Sequence, residues 1–437
     1  MENTNLTITV KDVSSVEKHV QITIPADKIS RELDKYYRDL RKSVKIKGFR
    51  PGKVPRSILE RFYKKQVENE VLTQLMNETF QQAIKEKNIQ PVSQPIIDND
   101  KLEVGKDFTY SARVEVYPRI DLETDFTELE VEQEKLDVTE ADVDKYLEEI
   151  RNYHAQLKNV EDDRPIRPGD FVLIDFTGEL EGVPFKERVV KDKLIEVKPD
   201  AFLPGFTNHL IGLRKGITRE IKVTIPEDYE QKEIAGKTFT FQVTVKEIKE
   251  KVIPSLDDNF ARDVGEFESL SELREKVREE VTSREKQRIQ HELHNSIVQK
   301  ILENNPFDVP SSLVEKQIDY LIHQARLQLK SQGIQIDSEG MVNREIREAY
   351  RPMAEFQIKR SLLLREIAKR EGIEVEPAEI KEYMKKIAPS SRQNLNGITG
   401  DLSKEEANER IKSRILEEKT LAFLTEKAKI KMVEKPE

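Results

Sequence analysis

The feature that most constrains the fold is a series of long, highly charged segments near the C-terminal end, in which the apolar residues form narrow stripes. In the first segment the apolar residues recur at helical spacing over residues 270–301, and Ser269 with Glu272 forms the pattern of a capping box. A helix with one narrow apolar stripe buries only a single line of side chains. Residues 262–437 are therefore predicted to form a helical domain, either an ordinary bundle or two- and three-helix arms, and not a thick globule.

The composition supports several domains and argues against one large core. Charged residues make up 36% of the 437 residues, and hydrophobic residues also make up 36%. Counted with the 16 glycines, the apolar share is about 40%. Typical globular domains contain about 25% charged residues and, with glycine included, about 45–50% apolar residues. A chain of this length is expected to contain about three domains, joined as an extended or strongly helical molecule.

Several classes of chemistry are excluded or disfavoured. There are no cysteines, so disulfides and thiol catalysis are excluded. The six histidines lie at no recognisable ligand spacing, and no phosphate-binding or dinucleotide-binding motif is present, so neither a metal nor another cofactor is expected. No run approaches the roughly 20 apolar residues of a membrane span. The first residues lack the pattern of a signal peptide, so a soluble cytoplasmic protein without a membrane partner is expected.

The predicted elements give a multi-domain α+β fold. Residues 1–117 are predicted to form an α+β domain, with strands at 6–13 and 18–24, a helix from residue 27, and a strictly alternating strand at 108–116. Between the helix and that last strand, a short helix at 57–65 and a longer one at 67–84 are predicted. Residues 118–161 are interpreted as a connector, in which Thr139 with Asp142 resembles a helix start, and residues 249–261 as a linker. Between them, residues 162–248 are rich in short β-branched runs, which indicates an antiparallel β module with a short helix.

A strongly basic loop precedes the predicted short helix. Residues 45–56 contain two glycines and two prolines, a combination typical of loops. From Arg41 to Lys65 there are ten basic residues and one acid, Glu60, within a chain of net charge −9. Such a patch favours a polyanionic partner. Phe49 lies among these charges. Its ring either projects towards an apolar notch on a partner or folds back onto its own domain, and spacing alone leaves both possibilities open.

Aromatic residues follow a distinct order through the β module. They are Phe176, Phe185, Phe202, Phe206, Tyr229, Phe239 and Phe241. On periodicity alone, the favoured interpretation is that they are simply the core of a small β domain.

The loop motif adds a specific resemblance. The run Gly48-Phe49-Arg50-Pro51-Gly52-Lys53-Val54-Pro55 resembles the signature loop of the trigger factor family of bacterial ribosome-associated chaperones, which reads Gly-Phe-Arg-x-Gly-Lys-Val-Pro. The resemblance extends over essentially the whole chain. It implies that the ribosome-binding residues Gly48, Phe49, Arg50, Gly52 and Lys53 contact ribosomal protein and RNA near the polypeptide exit. It further implies that the C-terminal helices form a body with arms around a cradle for nascent and unfolded polypeptides, that the chaperone assists folding and export, and that no ATP is needed.

The β module resembles the FKBP-type peptidyl-prolyl isomerase domain of that family. The closest pieces are the Phe-Thr-Gly run at 176–178, Leu-Pro-Gly-Phe at 203–206 and Glu-Asp-Tyr at 227–229. Carried over by position, the catalytic pocket wall consists of Phe176, Phe185, Phe202, Leu203, Phe206, Tyr229 and Phe241. Two positions depart from the family pattern: Lys186 replaces a usual acid and Lys193 replaces a common aromatic. The fold is expected to be kept, whereas the strength of the isomerase activity is left open.

Two other functions fit parts of the sequence. Lys186 and Lys193 favour an ATP-independent holdase whose β module has lost catalysis. The basic loop favours an RNA-binding protein, although the sequence offers no evident platform of several aromatic residues on which bases could stack. The sequence also leaves open whether the free protein forms a homodimer.

Overall fold

The computed structural model describes residues 6–47, 49–50, 52–99, 102–103, 105–180, 183–184, 190–199, 201–227, 235–331, 344–387 and 404–435. Packing divides the chain into two compact units. One contains residues 1–133 and 291–433, and the other contains residues 134–290 and 434–437. None of the described helices combines the length and the apolar character that a membrane span requires.

The N-terminal part is a four-stranded antiparallel sheet that packs against two helices. In chain order its elements are β1 (Thr7–Asp12), β2 (Glu17–Ile24), α1 (Ala26–Ser43), α2 (Arg56–Glu86), β3 (Ile96–Asn99) and β4 (Phe108–Glu115). The strand order is β1-β2-β4-β3. The predicted division between a short helix at 57–65 and a longer helix at 67–84 is wrong, because α2 is continuous. Buried Leu59, Val67 and Val71 carry one apolar stripe across the expected break, and no glycine or proline interrupts it.

The middle of the chain carries the antiparallel β module. Its elements and those just before it are a short 3-10 helix (Phe126–Glu128), β5 (Glu130–Glu134), α3 (Glu140–Tyr153), β6 (Gln156–Asn159), β7 (Phe171–Leu180), β8 (Val183–Pro184), β9 (Val190–Glu196), a second 3-10 helix (Thr207–His209), β10 (Thr218–Thr224) and β11 (Thr238–Val252). The long strands β11 and β7 pair at the centre of the sheet; β10 and β6 pair with β11, while β8 and β9 pair with β7. Thr139 and Asp142 form the capping box predicted at the start of α3.

The described residues after the β module form helices and one further strand. The helices are α4 (Asp258–Val264), α5 (Leu270–Asn304), α6 (Ser311–Ser331), α7 (Arg344–Glu371), α8 (Pro377–Ile387) and α9 (Lys404–Lys427). They are followed by β12 (Lys429–Val433), which pairs with β5. The predicted multi-domain α+β fold class is confirmed. The β12 strand is an element that the sequence analysis missed, because its partner lies about 300 residues earlier in the chain.

Candidate functional site

The basic loop is closed against the end of the helix that precedes it. The Gly52 N–H donates to the carbonyl oxygen of Arg41 at 3.1 Å. The Phe49 N–H donates to the Ile46 carbonyl oxygen at 3.1 Å, and the Lys53 N–H donates to that of Arg50 at 3.0 Å. Gly52 has a φ of +80°, a conformation that favours glycine. The described loop residues therefore have a defined backbone that can present side chains in a fixed direction.

The tip of this loop is exposed and positively charged. The Phe49 side chain is 39% exposed, whereas Val54, just beyond the tip, is buried in the N-terminal core. Within the described part of the chain, Arg50 and Lys53 have no carboxylate partner, and the same holds for Lys45 and Lys47. The Phe49 ring thus does not fold into the core of its own domain. Gly48, the remaining predicted ribosome-binding residue, lies outside the described residues.

A cluster of interactions at Arg56 joins the two helices at the base of the loop. The Arg56 guanidinium pairs with the Asp34 carboxylate on α1, and its Nε donates to Glu60 at 2.7 Å. Its Cζ also lies 5.2 Å from the ring centroid of Tyr37, in cation–π geometry. Asp34, Tyr37 and Arg56 line a groove of about 560 Å³ between the two helices, and its other basic side chains include Arg38 and Arg41. The sequence analysis counted Arg56 only as part of the positive patch and missed this bridging role.

In the β module, the predicted pocket residues that are described lie together. Phe176 is on β7, Phe241 is on β11, and Phe202 and Phe206 come from the segment before the second 3-10 helix. The ring centroids of Phe202 and Phe206 are 5.0 Å apart, those of Phe206 and Phe241 are 5.2 Å apart, and those of Phe176 and Phe202 are 5.3 Å apart. Edge-to-face contacts predominate, which is the favoured arrangement for aromatic rings.

Burial divides these pocket residues into a buried group and a partly exposed group. Phe176, Phe206 and Phe241 are buried, while Phe202 and Leu203 remain partly exposed. The core interpretation therefore fits the three buried rings, and the two partly exposed residues lie where a ligand could reach them. The predicted pocket residues Phe185 and Tyr229 lie outside the described residues, as does Lys186. Lys193 is exposed on β9 and pairs in register with the buried Ile174.

Two further residues determine where the Phe241 ring lies. Strand pairing places Gly178 directly opposite Phe241, and a Cβ atom added to Gly178 would lie 2.9 Å from Cε1 of that ring. Phe239 stacks on Phe241 with centroids 5.9 Å apart and an interplanar angle of 13°. Neither residue was among the predicted pocket residues. The signal for Phe239 is its position two residues before Phe241, which places both on one side of β11.

The β module also contains a buried ion pair. The Arg164 guanidinium donates two hydrogen bonds to Asp170, at 2.7 and 2.9 Å, and the Arg167 N–H donates to the same carboxylate at 2.8 Å. Asp170 is only 5% exposed. Burial opposes its ionisation, but these hydrogen bonds and the two guanidinium charges outweigh burial and hold the pKa of Asp170 below its ordinary value.

A third surface is a groove of about 430 Å³ among α6, α7 and α9. Its apolar lining includes Leu313, Ile358, Leu362 and Leu416, with charged residues at the margin. Tyr117 lies at this groove with 43% of its side chain exposed. Among the apolar side chains of the C-terminal helices, Met353 and Tyr320 are exposed, whereas Phe356 and Met384 are half-buried.

Comparison with known families covers both ends of the chain and the module between them. Residues 6–150 match the family model described as bacterial trigger factor protein, and residues 269–426 match the model of its C-terminus. The chain belongs to the trigger factor family. Residues 162–246, which contain the aromatic cluster, match the FKBP-type peptidyl-prolyl cis-trans isomerase family, so this trigger factor chaperone carries an FKBP-type domain.

Curated trigger factors align with this family member along nearly its whole length. The trigger factor of Geotalea daltonii is 37% identical over 431 residues, which cover 98% of this chain and 99% of that protein. The trigger factor of Geobacter sulfurreducens is 38% identical over 420 residues, covering 96% and 97%. A solved structure titled "Promiscuous Substrate Recognition in Folding and Assembly Activities of the Trigger Factor Chaperone" is 22% identical, with a TM-score of 0.43, and the match covers 96% of this chain and 99% of that one.

Proposed function

We propose that this trigger factor family member binds the ribosome beside the polypeptide exit, holds nascent unfolded polypeptides and catalyses cis/trans isomerisation of X–Pro bonds. The observation that carries the ribosome-binding part is the conformation of the basic loop. An exposed Phe49 ring is flanked by Arg50 and Lys53, which have no carboxylate partner among the described residues. A charged surface with an apolar notch would bury the ring and neutralise both cations. The proposed ribosome-binding residues remain Gly48, Phe49, Arg50, Gly52 and Lys53.

The aromatic cluster supports the isomerase part. Rotation about a peptide bond has a barrier of about 18–20 kcal/mol, because C–N resonance is lost on twisting. No nucleophile or base is required. An apolar wall lowers the barrier if it excludes the water that stabilises the planar, polar amide and holds the proline ring during rotation. Uncatalysed isomerisation takes tens to hundreds of seconds, which makes it a step worth catalysing during folding.

Polypeptide binding is supported by apolar side chains set among charges. Met353 is 52% exposed on α7, where 13 of 28 residues are charged, and Tyr320 is 38% exposed on α6, next to the charged Asp319. Contacts of this kind contribute about 25 cal/mol per Å² and do not depend on a particular client sequence. A cytoplasmic location, assistance to folding and export, and the domain boundaries 1–117, 162–248 and 262–437 belong to the same proposal.

A co-sedimentation experiment tests the ribosome-binding part. The full-length triple variant Phe49→Ala, Arg50→Ala, Lys53→Ala is expected to lose co-sedimentation with ribosomes and to keep the isomerase rate of the wild type. A matched control removes one exposed ring and two exposed cations elsewhere: Tyr153→Ala, Lys145→Ala and Lys158→Ala. If the loop variant pellets with ribosomes as well as this control does, the loop assignment is wrong.

A proline-limited refolding assay separates the isomerase from the alternative, an ATP-independent holdase with a catalytically impaired module. The variant Phe202→Leu removes the partly exposed ring and is expected to lower kcat/KM roughly tenfold, equivalent to about 1.4 kcal/mol of transition-state stabilisation. Phe307→Leu makes the same change at a half-buried position among the C-terminal helices and should leave the rate unchanged. Absence of any acceleration by the wild-type chain would favour the holdase.

A further inference from the structure

The most exposed phenylalanine ring among the described residues of the N-terminal domain lies outside the signature loop. Phe62, on the second turn of α2, is 65% exposed. Among the described residues of the loop and α2, only Phe49 and Phe62 are large apolar side chains that are exposed. Burying a phenylalanine side chain contributes about 1.5–3 kcal/mol, so the chain forgoes that stabilisation here unless a partner covers the ring.

The charged side chains beside Phe62 are positive and are free to bind a partner. Arg61 precedes it and Lys65 follows one turn later, so the three side chains share an arc of about 100° on the helix. Both cations are exposed, and neither has a carboxylate partner among the described residues. By contrast, Lys64 pairs with Glu68 on the same helix at 3.9 Å. We call Arg61, Phe62 and Lys65 the Phe62 face.

The chemistry of this face distinguishes between two kinds of partner. A protein partner is normally bound through a contiguous apolar patch with a dry centre. The Phe62 face instead presents one isolated ring beside two cations. This combination fits a nucleic acid strand, because a base can stack on the ring while the adjacent phosphates contact the cations. Base stacking does not require a particular sequence, since every base has a flat face.

We infer that the Phe62 face is a second RNA-binding surface, in which Phe62 stacks on an unpaired base and Arg61 and Lys65 bind the flanking phosphates. The inference rests on the proposed function, since it takes the RNA to be part of the ribosome. Phe62 follows Arg56 by about 9 Å along one continuous helix, so the face and the loop are held on the same rigid element. Together with Phe49, Phe62 supplies the second exposed ring that the RNA-binding interpretation of the sequence lacked.

The test measures binding of full-length protein to naked RNA. A labelled single-stranded oligoadenosine and a duplex RNA are titrated with the wild type, with Phe62→Leu and with the control Tyr153→Leu, whose ring is 88% exposed in the other unit. Phe62→Leu is expected to weaken single-strand binding about tenfold, which is within the range for one stacked base, and to change duplex binding little. Arg61→Gln with Lys65→Gln should reduce the slope of log K against log salt by about 1.4 for the single strand.

Each result has a defined meaning. Equal single-strand affinity of Phe62→Leu and the wild type overturns the inference, as does an equal loss in Tyr153→Leu. Loss of ribosome co-sedimentation without loss of RNA affinity would assign the face to a protein partner instead, which also overturns it. If the wild type binds RNA in a Phe62-dependent manner but does not pellet with ribosomes, the proposed ribosome function fails while the RNA-binding surface stands.

Discussion

The Glu115 carboxylate, at the last residue of β4, accepts hydrogen bonds from the backbone N–H of Ser312 in the first turn of α6, at 3.2 and 3.3 Å. The Ser311 hydroxyl donates to the same carboxylate at 2.7 Å. Free N–H groups and the helix dipole give a helix N-terminus partial positive charge, which a carboxylate stabilises. A strand of the N-terminal sheet thus caps a helix about 200 residues later, and the N-terminal domain is fastened to the C-terminal helices within one unit.

Neutralising this carboxylate should loosen that connection. Glu115→Gln is expected to destabilise the unit by about 1–2 kcal/mol, because a charge-assisted cap is lost. Faster amide hydrogen exchange at Ser312 and the following residues would report the loss directly. Glu103→Gln, which removes only an exposed pair with Lys106, should have little effect. Unchanged exchange at Ser312 would mean that the contact contributes nothing.

The same contact predicts a dependence on pH. Burial opposes ionisation of Glu115, but hydrogen bonds from Ser312, Ser311 and Ser93 outweigh it and hold its pKa below the ordinary value. A lowered folded-state pKa contributes stability above the pKa of the unfolded chain, and this contribution is lost as pH falls through the folded-state value. At neutral pH the Ser312 amide should therefore exchange more slowly in the wild type than in Glu115→Gln. The two exchange rates should become equal in acid.

Breaking the buried ion pair of the β module should be more costly. Asp170→Asn leaves the Arg164 side chain, which is 16% exposed, with only the exposed Glu250 carboxylate as a charged partner, at 3.2 Å, so a loss of about 3 kcal/mol is expected. The neighbouring Asp163→Asn removes only an exposed pair with Arg214 and serves as the control. Because the pKa of Asp170 is lowered, the difference between wild type and Asp170→Asn should shrink as pH falls. Equal urea midpoints for the two variants would contradict the prediction.

A buried hydroxyl network in the N-terminal domain gives a further prediction about stability. The Tyr110 hydroxyl lies 2.8 Å from Thr79 Oγ1 and donates to the Met76 carbonyl oxygen at 3.0 Å. Tyr110→Phe is expected to cost about 1 kcal/mol in urea unfolding, and a double-mutant cycle with Thr79→Val should give a coupling energy. Burial raises the pKa of Tyr110 to about 12, so its contribution is complete below pH 10 and is lost as pH rises through 12. No difference between Tyr110→Phe and wild type would show that the hydroxyl is not needed.

Sequence patterns correctly predicted features that depend on residues close to one another in the chain. The alternation of 108–116 and the Thr139 cap describe interactions between residues close in the chain, and both are present. The aromatic order of the β module came from family resemblance, since alternation alone could not distinguish a core from a pocket. Features that depend on distant residues were missed: the β5–β12 pairing, the cap from Glu115 and the position of Gly178 opposite Phe241. The exposure of Phe62 was also missed, because its spacing fits a helix whether the ring faces the core or solvent.

The contact between Gly178 and Phe241 gives a test of the isomerase pocket that does not remove an aromatic ring. Gly178→Ala would place a Cβ atom 2.9 Å from Phe241 Cε1, so the ring must move. We expect a roughly tenfold lower kcat/KM in a proline-limited refolding assay, since the displaced ring lines the proposed pocket. Gly216→Ala is a poor control because Gly216 has a φ of +82°. Ser111→Ala, on β4 of the N-terminal sheet and far along the chain from the β module, is suitable and should leave the rate unchanged. A wild-type rate for Gly178→Ala would place the ring outside the working pocket.

The last prediction concerns how firmly the basic loop is held. Arg56 joins α1 to α2 through Asp34, Glu60 and the Tyr37 ring, directly beside the loop. Arg56→Gln should leave the fold intact but allow the loop to sample more conformations. The loop would then lose more conformational entropy when it binds the ribosome, which weakens binding. Affinity in a pelleting titration should fall about fivefold or more, with helix content unchanged by circular dichroism. Lys64→Gln removes one positive charge of the same patch without touching the loop base. If both variants lose affinity equally, Arg56 acts through its charge alone and not by positioning the loop.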